Sequence, residues 1–361
     1  MNAISFDITA SIDAHDYRAQ ARKNGLRYVN DSMPGYTRRR YGKHFVFFDT
    51  KGERVRDEDD IARIRKLAIP PAYKNVWICP YKNGHIQATG IDARGRKQYR
   101  YHPDWRACRD ETKFTHMLAF GNALPLIRAT VADHMGQRGL TRDKVLATVV
   151  SLLEKTLIRV GNDEYARTNK SYGLTTLRDE HVEVEGSTIR FRFKGKSNKE
   201  WNLKLTDRRI ANVIRACADI EGQELFKYVD DDGEVRDVSS GDVNQYLRDI
   251  TGEAFTAKDF RTWTGTVLAA MALQDYREFD SQAQAKKNVV AAIEAVSSKL
   301  GNTPSVCRKS YIHPEVINAY MDGELIRQID GEIDQSLKDL ALKPEEICVL
   351  TLLKRRLNSA A

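Results

Sequence analysis

The sequence predicts an α+β fold. A small β-rich N-terminal domain covers residues 1–103, and a larger, mainly α-helical domain with a small antiparallel sheet of its own covers 104–361. Three observations carry this. A chain of 361 residues exceeds one ordinary core. Short aromatic and β-branched runs alternate with turns up to about residue 103, and helical spacing dominates afterwards. The charge is unevenly placed: the first hundred residues hold 20 Lys+Arg against 11 Asp+Glu, the remainder 38 against 39, so the whole excess of +8 sits at the front. That asymmetry is the footprint of a nucleic-acid-binding module joined to a balanced body, the alternative being a solvated basic surface without a partner.

The elements follow in order. KHFVFFDT (43–50) is a strand, followed by a Lys-Gly turn. DEDDIARIRKLAIPP places Ile61, Ile64 and Leu67 on one helical face and ends at Pro70-Pro71. NVWICP and HIQATG are short strands, and DARGRK is a basic turn into KQYRYH. There Gln98, Arg100 and His102 alternate with Tyr99 and Tyr101, a pattern that fits a strand lying along a DNA groove or equally one packing its tyrosines inward. In the second domain Val145, Val149, Leu152, Leu153 and Thr156 predict a helix over 141–160, begun by Thr141 with Arg159 at its end. HVEVEG, STIRFRFKGK and EWNLKL predict three antiparallel strands, with Lys196 at the second turn. Helices resume from Asp207, and Gly301-Asn302-Thr303-Pro304 reads as a helix end, a turn and a restart.

Several classes are excluded. No apolar run approaches the roughly 20 residues that span a bilayer, and the acidic N-terminus does not read as a signal peptide. The five scattered cysteines fit a reducing cytoplasm and suggest neither a disulfide framework nor a zinc knuckle. FKGKS resembles the tail of a phosphate-binding P-loop, but Arg190 stands where its first glycine belongs. The eight histidines show no metal-site spacing, and DDDGEVRD (230–237) is a polar turn rather than a calcium loop.

What remains is a set of cations and one tyrosine. IRVGNDEY holds Arg159 and Tyr165, FKGKSNKEW holds Lys196, AKDFRTWTGT holds Lys258 and Arg261, and GNTPSVCRKSYIHP holds Asn302 and Tyr311. Taken singly, each has an ordinary structural role: a helix-end charge, a turn lysine, an ion-pair former, a half-buried tyrosine, an asparagine closing a turn.

Together these blocks resemble the type IB DNA topoisomerases, specifically the compact poxvirus-like group found in bacteria. The resemblance extends over nearly the whole chain, including GLRYVNDSMPG, LAIPPAYKNVWICP and ATGIDARGRKQYRYHPDWR in the first domain. It implies Tyr311 as nucleophile, Arg159, Lys196 and Arg261 as its cationic partners, and Lys258 as an accessory cation. Asn302 departs from the viral pattern, which has histidine there, and agrees with the bacterial one. Tyr99, Tyr101, Lys97, Arg100 and Tyr165 are the expected DNA contacts. The implied activity is relaxation of supercoiled double-stranded DNA by a cytoplasmic, nucleoid-associated monomer that needs no cofactor, metal or ATP. The implied architecture is a clamp around duplex DNA, with a hinge near 100–112. A tyrosine recombinase is the nearest competitor; it usually carries His-x-x-Arg where this chain has Lys258-Asp259-Phe260-Arg261. A non-enzymatic DNA-binding protein is disfavoured because each implied catalytic position holds a competent side chain.

Overall fold

The computed structural model describes residues 17–42, 44–93, 95–276, 279–326 and 341–359. Contacts divide the chain into two compact units, Met1–Phe114 and Thr115–Ala361.

In the first unit β1 (Thr37–Tyr41) pairs antiparallel with β2 (His44–Phe48). A second antiparallel sheet has the order β3 (Lys74–Ile78), β4 (Ile86–Ile91), β5 (Lys97–Tyr101). Helix α1 (Glu58–Lys66) starts at Asp57, whose side chain accepts the Asp60 amide. Its Ile64 packs with Phe47, Val76, Ile78 and Ala88 in one core. Strand β1 was not expected from the sequence, because TRRRY has no apolar alternation. Its arginines pack through their planar heads instead: Arg38 lies 4.2 Å over Phe45 and Arg39 lies 4.8 Å over Phe48.

The segment expected as a hinge linker, 100–112, is instead the end of β5 and the start of one long helix, α2 (Pro103–His134). Trp105 explains the difference. It is buried with Ala21 and Leu26, so the first turn of α2 is part of a core.

In the second unit α3 (Arg142–Thr156) is begun by Thr141, as the spacing predicts. It is buried on more than one face, with Leu146, Ala147 and Val150 as enclosed as Val145 and Val149. Helix α4 (Asp163–Asn169) follows, then the three-stranded antiparallel sheet β6 (Val182–Glu185), β7 (Thr188–Lys194), β8 (Glu200–Thr206). Next come α5 (Arg208–Ala218), capped by Asp207, and the hairpin β9 (Lys227–Val229) with β10 (Val235–Asp237). The acidic turn inside that hairpin is held by Asp230, which accepts the Glu234 amide and Arg236 Nε. Further helices are α6 (Ser240–Thr251), α7 (Ala257–Gln274), α8 (Gln282–Leu300), α9 (Pro304–Ser310), α10 (Pro314–Met321) and α11 (Pro344–Ser359). Among the described residues no helix is long and apolar enough to cross a membrane.

Two polar clusters set the position of α7. Arg128 on α2 bridges Glu154 of α3 and Glu346 of α11, at 2.6 and 2.7 Å, and Trp263 of α7 donates to the same Glu346. At the other end Asp259 accepts the Thr256 amide and hydroxyl and lies 3.8 Å from His116. Hydrogen bonding to Asp259, against the opposing effect of burial, raises the His116 pKa. A raised folded-state pKa means that this stabilisation is complete below the ordinary histidine range and fades as pH rises through the folded value. His116→Gln should therefore cost more stability at about pH 5.5 than at about pH 8.5, by an amount below about 1 kcal/mol for a partly exposed pair. Thermal melts of both proteins at the two pH values test this; an equal loss at each would remove the charged pair.

Candidate active site

Arg159 is brought into place by a left-handed residue. Helix α3 ends at Leu157, whose φ of 59° is unusual for a leucine. Such a residue costs about 1 kcal/mol and persists where the surroundings impose it. Beyond it the chain is pinned by Leu174, whose amide donates to the Arg159 carbonyl at 2.8 Å. The Arg159 side chain then reaches the turn after α8, donating to the Gly301 carbonyl and to Asn302 Oδ1.

Arg261 sits in the first turns of α7 and is only 3 % exposed. Its two terminal nitrogens donate to the carbonyls of Leu157 and Leu300, at the C-terminal ends of α3 and α8. Those carbonyls are the negative ends of two helix dipoles, which is why a buried guanidinium is tolerated there. Its Nε is buried and has no partner among the described residues. Burial, and then the neighbouring Arg159, pull its pKa down to about 10, so it remains cationic at neutral pH. Burial lowers the Arg159 pKa too, with Tyr311 acting in the opposite direction.

Tyr311 follows α9, whose start at Thr303 and Pro304 matches the predicted restart. Its ring lies under Arg261, with the guanidinium carbon 5.2 Å from the ring centroid. Gly265 of α7 makes this approach possible: a Cβ there would fall 2.7 Å from the Tyr311 carbonyl oxygen. Thr266 then donates to that carbonyl and accepts the His313 amide. Gly265 and Thr266 escaped the sequence reading. The available signal was a glycine inside a helical run, which costs about 1 kcal/mol relative to alanine and so implies a packing reason.

Arg159, Lys196, Lys258, Arg261, Tyr311 and Tyr165 line a single cleft of ≈ 300 Å³. Lys196 is exposed, in a 3-10 turn between β7 and β8, and Lys258 is exposed at the start of α7. Tyr165 is 41 % exposed on α4, which begins at Asn162. Asn302 reaches the cleft through Arg159, and its amide nitrogen is buried without a partner among the described residues. Its backbone, rather than its side chain, closes the helix end, with the amide donating to Ser297 at 3.0 Å. Cys307 also lies nearby, but burial pushes its thiol up to about 11, so it stays protonated.

The remaining expected DNA contacts lie in the first unit on β5, the edge strand of its sheet. Tyr99 is exposed and stacks on the half-buried Tyr101, ring centroids 5.9 Å apart. Lys97 is paired with Asp31 at 2.6 Å, and Arg100 donates to the Ala68 carbonyl.

Set in one cleft are the phenols of Tyr165, Tyr172 and Tyr311, two guanidiniums and two ammonium groups, a donor set for an anionic, phosphate-like group. Similarity to known proteins gives the family. The family model "Eukaryotic DNA topoisomerase I, catalytic core" matches residues 102–340, and "Bacterial DNA topoisomerase IB, N-terminal domain" matches residues 44–92. DNA topoisomerase 1B of Acanthamoeba polyphaga mimivirus is 31% identical over 297 residues, covering 80% of this chain and 88% of the relative. DNA topoisomerase 1B of Vaccinia virus (strain Copenhagen) is 20% identical over 240 residues, covering 65% and 72%. The chain therefore belongs to the type IB DNA topoisomerases, and it is an isomerase acting on DNA.

Proposed function

We propose that this enzyme relaxes supercoiled duplex DNA by cutting and rejoining one strand through Tyr311. The Tyr311 oxygen attacks a backbone phosphorus as its proton leaves to solvent. The bond from phosphorus to the 5′ oxygen breaks, and Lys196 gives that oxygen a proton. The products are a 3′-phosphotyrosyl link and a 5′-hydroxyl. The covalent link keeps the bond energy while the strand rotates, and the reverse attack reseals the strand without ATP. The single observation carrying this reading is the gathering of Tyr311, Arg159, Lys196, Lys258 and Arg261 in one cleft.

The roles follow from chemistry. A neutral phenol is a weak nucleophile, so its proton must leave as the oxygen attacks. Arg159 and Arg261 suit the charge that develops on the non-bridging oxygens. The leaving alkoxide is far more basic than a phenolate and needs a proton, which a lysine in a cationic site can supply. Lys258 is an accessory cation. With four cations lining the cleft, the charge can be balanced without a metal. Tyr165, Tyr99, Tyr101, Arg100 and Lys97 belong to this reading as DNA contacts, and so does action as a monomer closing on one duplex. Supercoiled plasmid incubated with excess chelator and no nucleotide should be relaxed for both signs of supercoiling; an absolute need for either addition would overturn the proposal.

Asn302 has a defined part. Its oxygen accepts from Arg159, which leaves the amide nitrogen to donate to a non-bridging phosphate oxygen. Losing one such donor typically costs on the order of 10²-fold in rate. Asn302→Ala should lose about that much in single-turnover cleavage, and Asn302→His should keep most activity. Asn302→Asp should be worse than alanine, since it sets a negative charge against the phosphate. A merely structural asparagine would instead leave cleavage unchanged and cost up to about 1 kcal/mol of stability.

A further inference from the structure

Lys196 makes no hydrogen bond or ion pair among the described residues, yet a proton donor must be aimed. Its loop, Gly195–Lys199, is closed at the base by the Gly195 amide donating to the Lys199 carbonyl at 2.8 Å. Lys199 does not point into the cleft. Its ammonium donates to the Ser298 carbonyl at 3.0 Å, in the last turn of α8, and lies 5.8 Å from the Trp201 ring centroid. Trp201 is buried and stacked on Phe193. It also meets the far side of the site: a Cβ on Gly301 would lie 3.0 Å from the Trp201 ring and 3.2 Å from Lys199 Cδ. Gly301 carries the carbonyl that Arg159 bonds, and Asn302 follows it.

We propose that Lys199 is a positioning residue: clasped between Trp201 and the end of α8, it fixes the loop that bears Lys196 against the turn that bears Asn302. This rests on Lys196 being the general acid. The physical need is clear, because an exposed lysine on a short loop gains no orientation from its own contacts. One bond from Lys199 to a helix-terminal carbonyl supplies an orientation, and a helix C-terminus is where a cation is favoured. The same contact sets the acid and the phosphate-holding groups in one frame, so that proton delivery and charge stabilisation stay in register.

The test compares the full-length enzyme with Lys199→Met, Lys199→Arg and Lys196→Ala, in single-turnover cleavage at saturating enzyme. Two duplexes are used, one ordinary and one with sulfur as the leaving 5′ atom, which departs without a proton. Lys199→Met should slow the ordinary substrate about 10-fold, less than the 10²-fold that a full 1 Å misplacement can cost. It should slow the sulfur substrate by no more than about 2-fold, since that step needs no acid. Amide hydrogen exchange over 195–200 should quicken in Lys199→Met, and Lys199→Arg should recover most of both properties. A Lys199→Met enzyme with the parent's rate and exchange would overturn the proposal. So would equal slowing on both substrates when Lys196→Ala discriminates between them, because Lys199 would then act on the phosphate. If Lys196→Ala fails to discriminate, its acid role falls by itself. The clasp then stands only if Lys199→Met both quickens loop exchange and slows cleavage, and is overturned otherwise.

Discussion

Tyr311→Phe is expected to abolish both DNA relaxation and the covalent protein–DNA adduct while DNA affinity stays unchanged. The substitution deletes one oxygen and leaves the ring, which stays under Arg261. The contacts that seat this residue involve its backbone carbonyl and Cβ, against Gly265 and Thr266, and phenylalanine keeps them. The Cys307 thiol offers no substitute, since it is buried and held protonated. Denaturing gels with end-labelled duplex would measure the adduct, and a gel shift would measure affinity. An adduct persisting in the mutant would move the nucleophile elsewhere.

The second large effect is expected at Lys196. Lys196→Ala should slow cleavage of an ordinary phosphodiester by about 10²–10⁴-fold, the span usual for a positioned general acid. The loss should shrink strongly when sulfur replaces the leaving oxygen. An arginine-like role, holding charge on the phosphate, would give the same loss with either atom. Lys196 is exposed on the cleft wall, which favours the first outcome because its ammonium is free to meet a leaving oxygen. Equal defects on the two substrates would reassign the residue to phosphate binding.

Parts of this fold were legible because local chemistry and tertiary role agree. Thr141 caps α3 and the apolar spacing behind it is helical, so both start and type were readable. The alternation in VEVE, TIRFRFK and EWNLKLT does the same for β6–β8. Strand β1 was not readable, because its arginines pack by their planar heads and leave no alternating pattern. The start of α2 read as a linker, because one buried tryptophan among charged residues is a weak signal. Tyr311, Arg159, Lys196, Lys258 and Arg261 of the cleft, and Asn302 bonded to Arg159, were named through the order of their blocks, whereas their gathering is tertiary. Leu157 gave no warning of its left-handed backbone, since leucine has no preference for it. Gly265 and Lys199 act by approach and support, and neither carries a motif that periodicity can detect.

The way Arg261 is held limits what evolution can do at that position. One flat cation is shared by the ends of two helices, with a separate nitrogen assigned to each carbonyl. A lysine, whose charge is a single point, cannot reach both ends in the same geometry. A sequence drifting to lysine would keep its charge and lose a strut, freeing the Leu157 reversal and the α8 terminus together. Arg159 and Asn302 hang from those same two places. Under the proposed function, selection for phosphate chemistry and selection for a folded helical core act on one side chain, and relaxing either alone leaves the other still enforcing arginine.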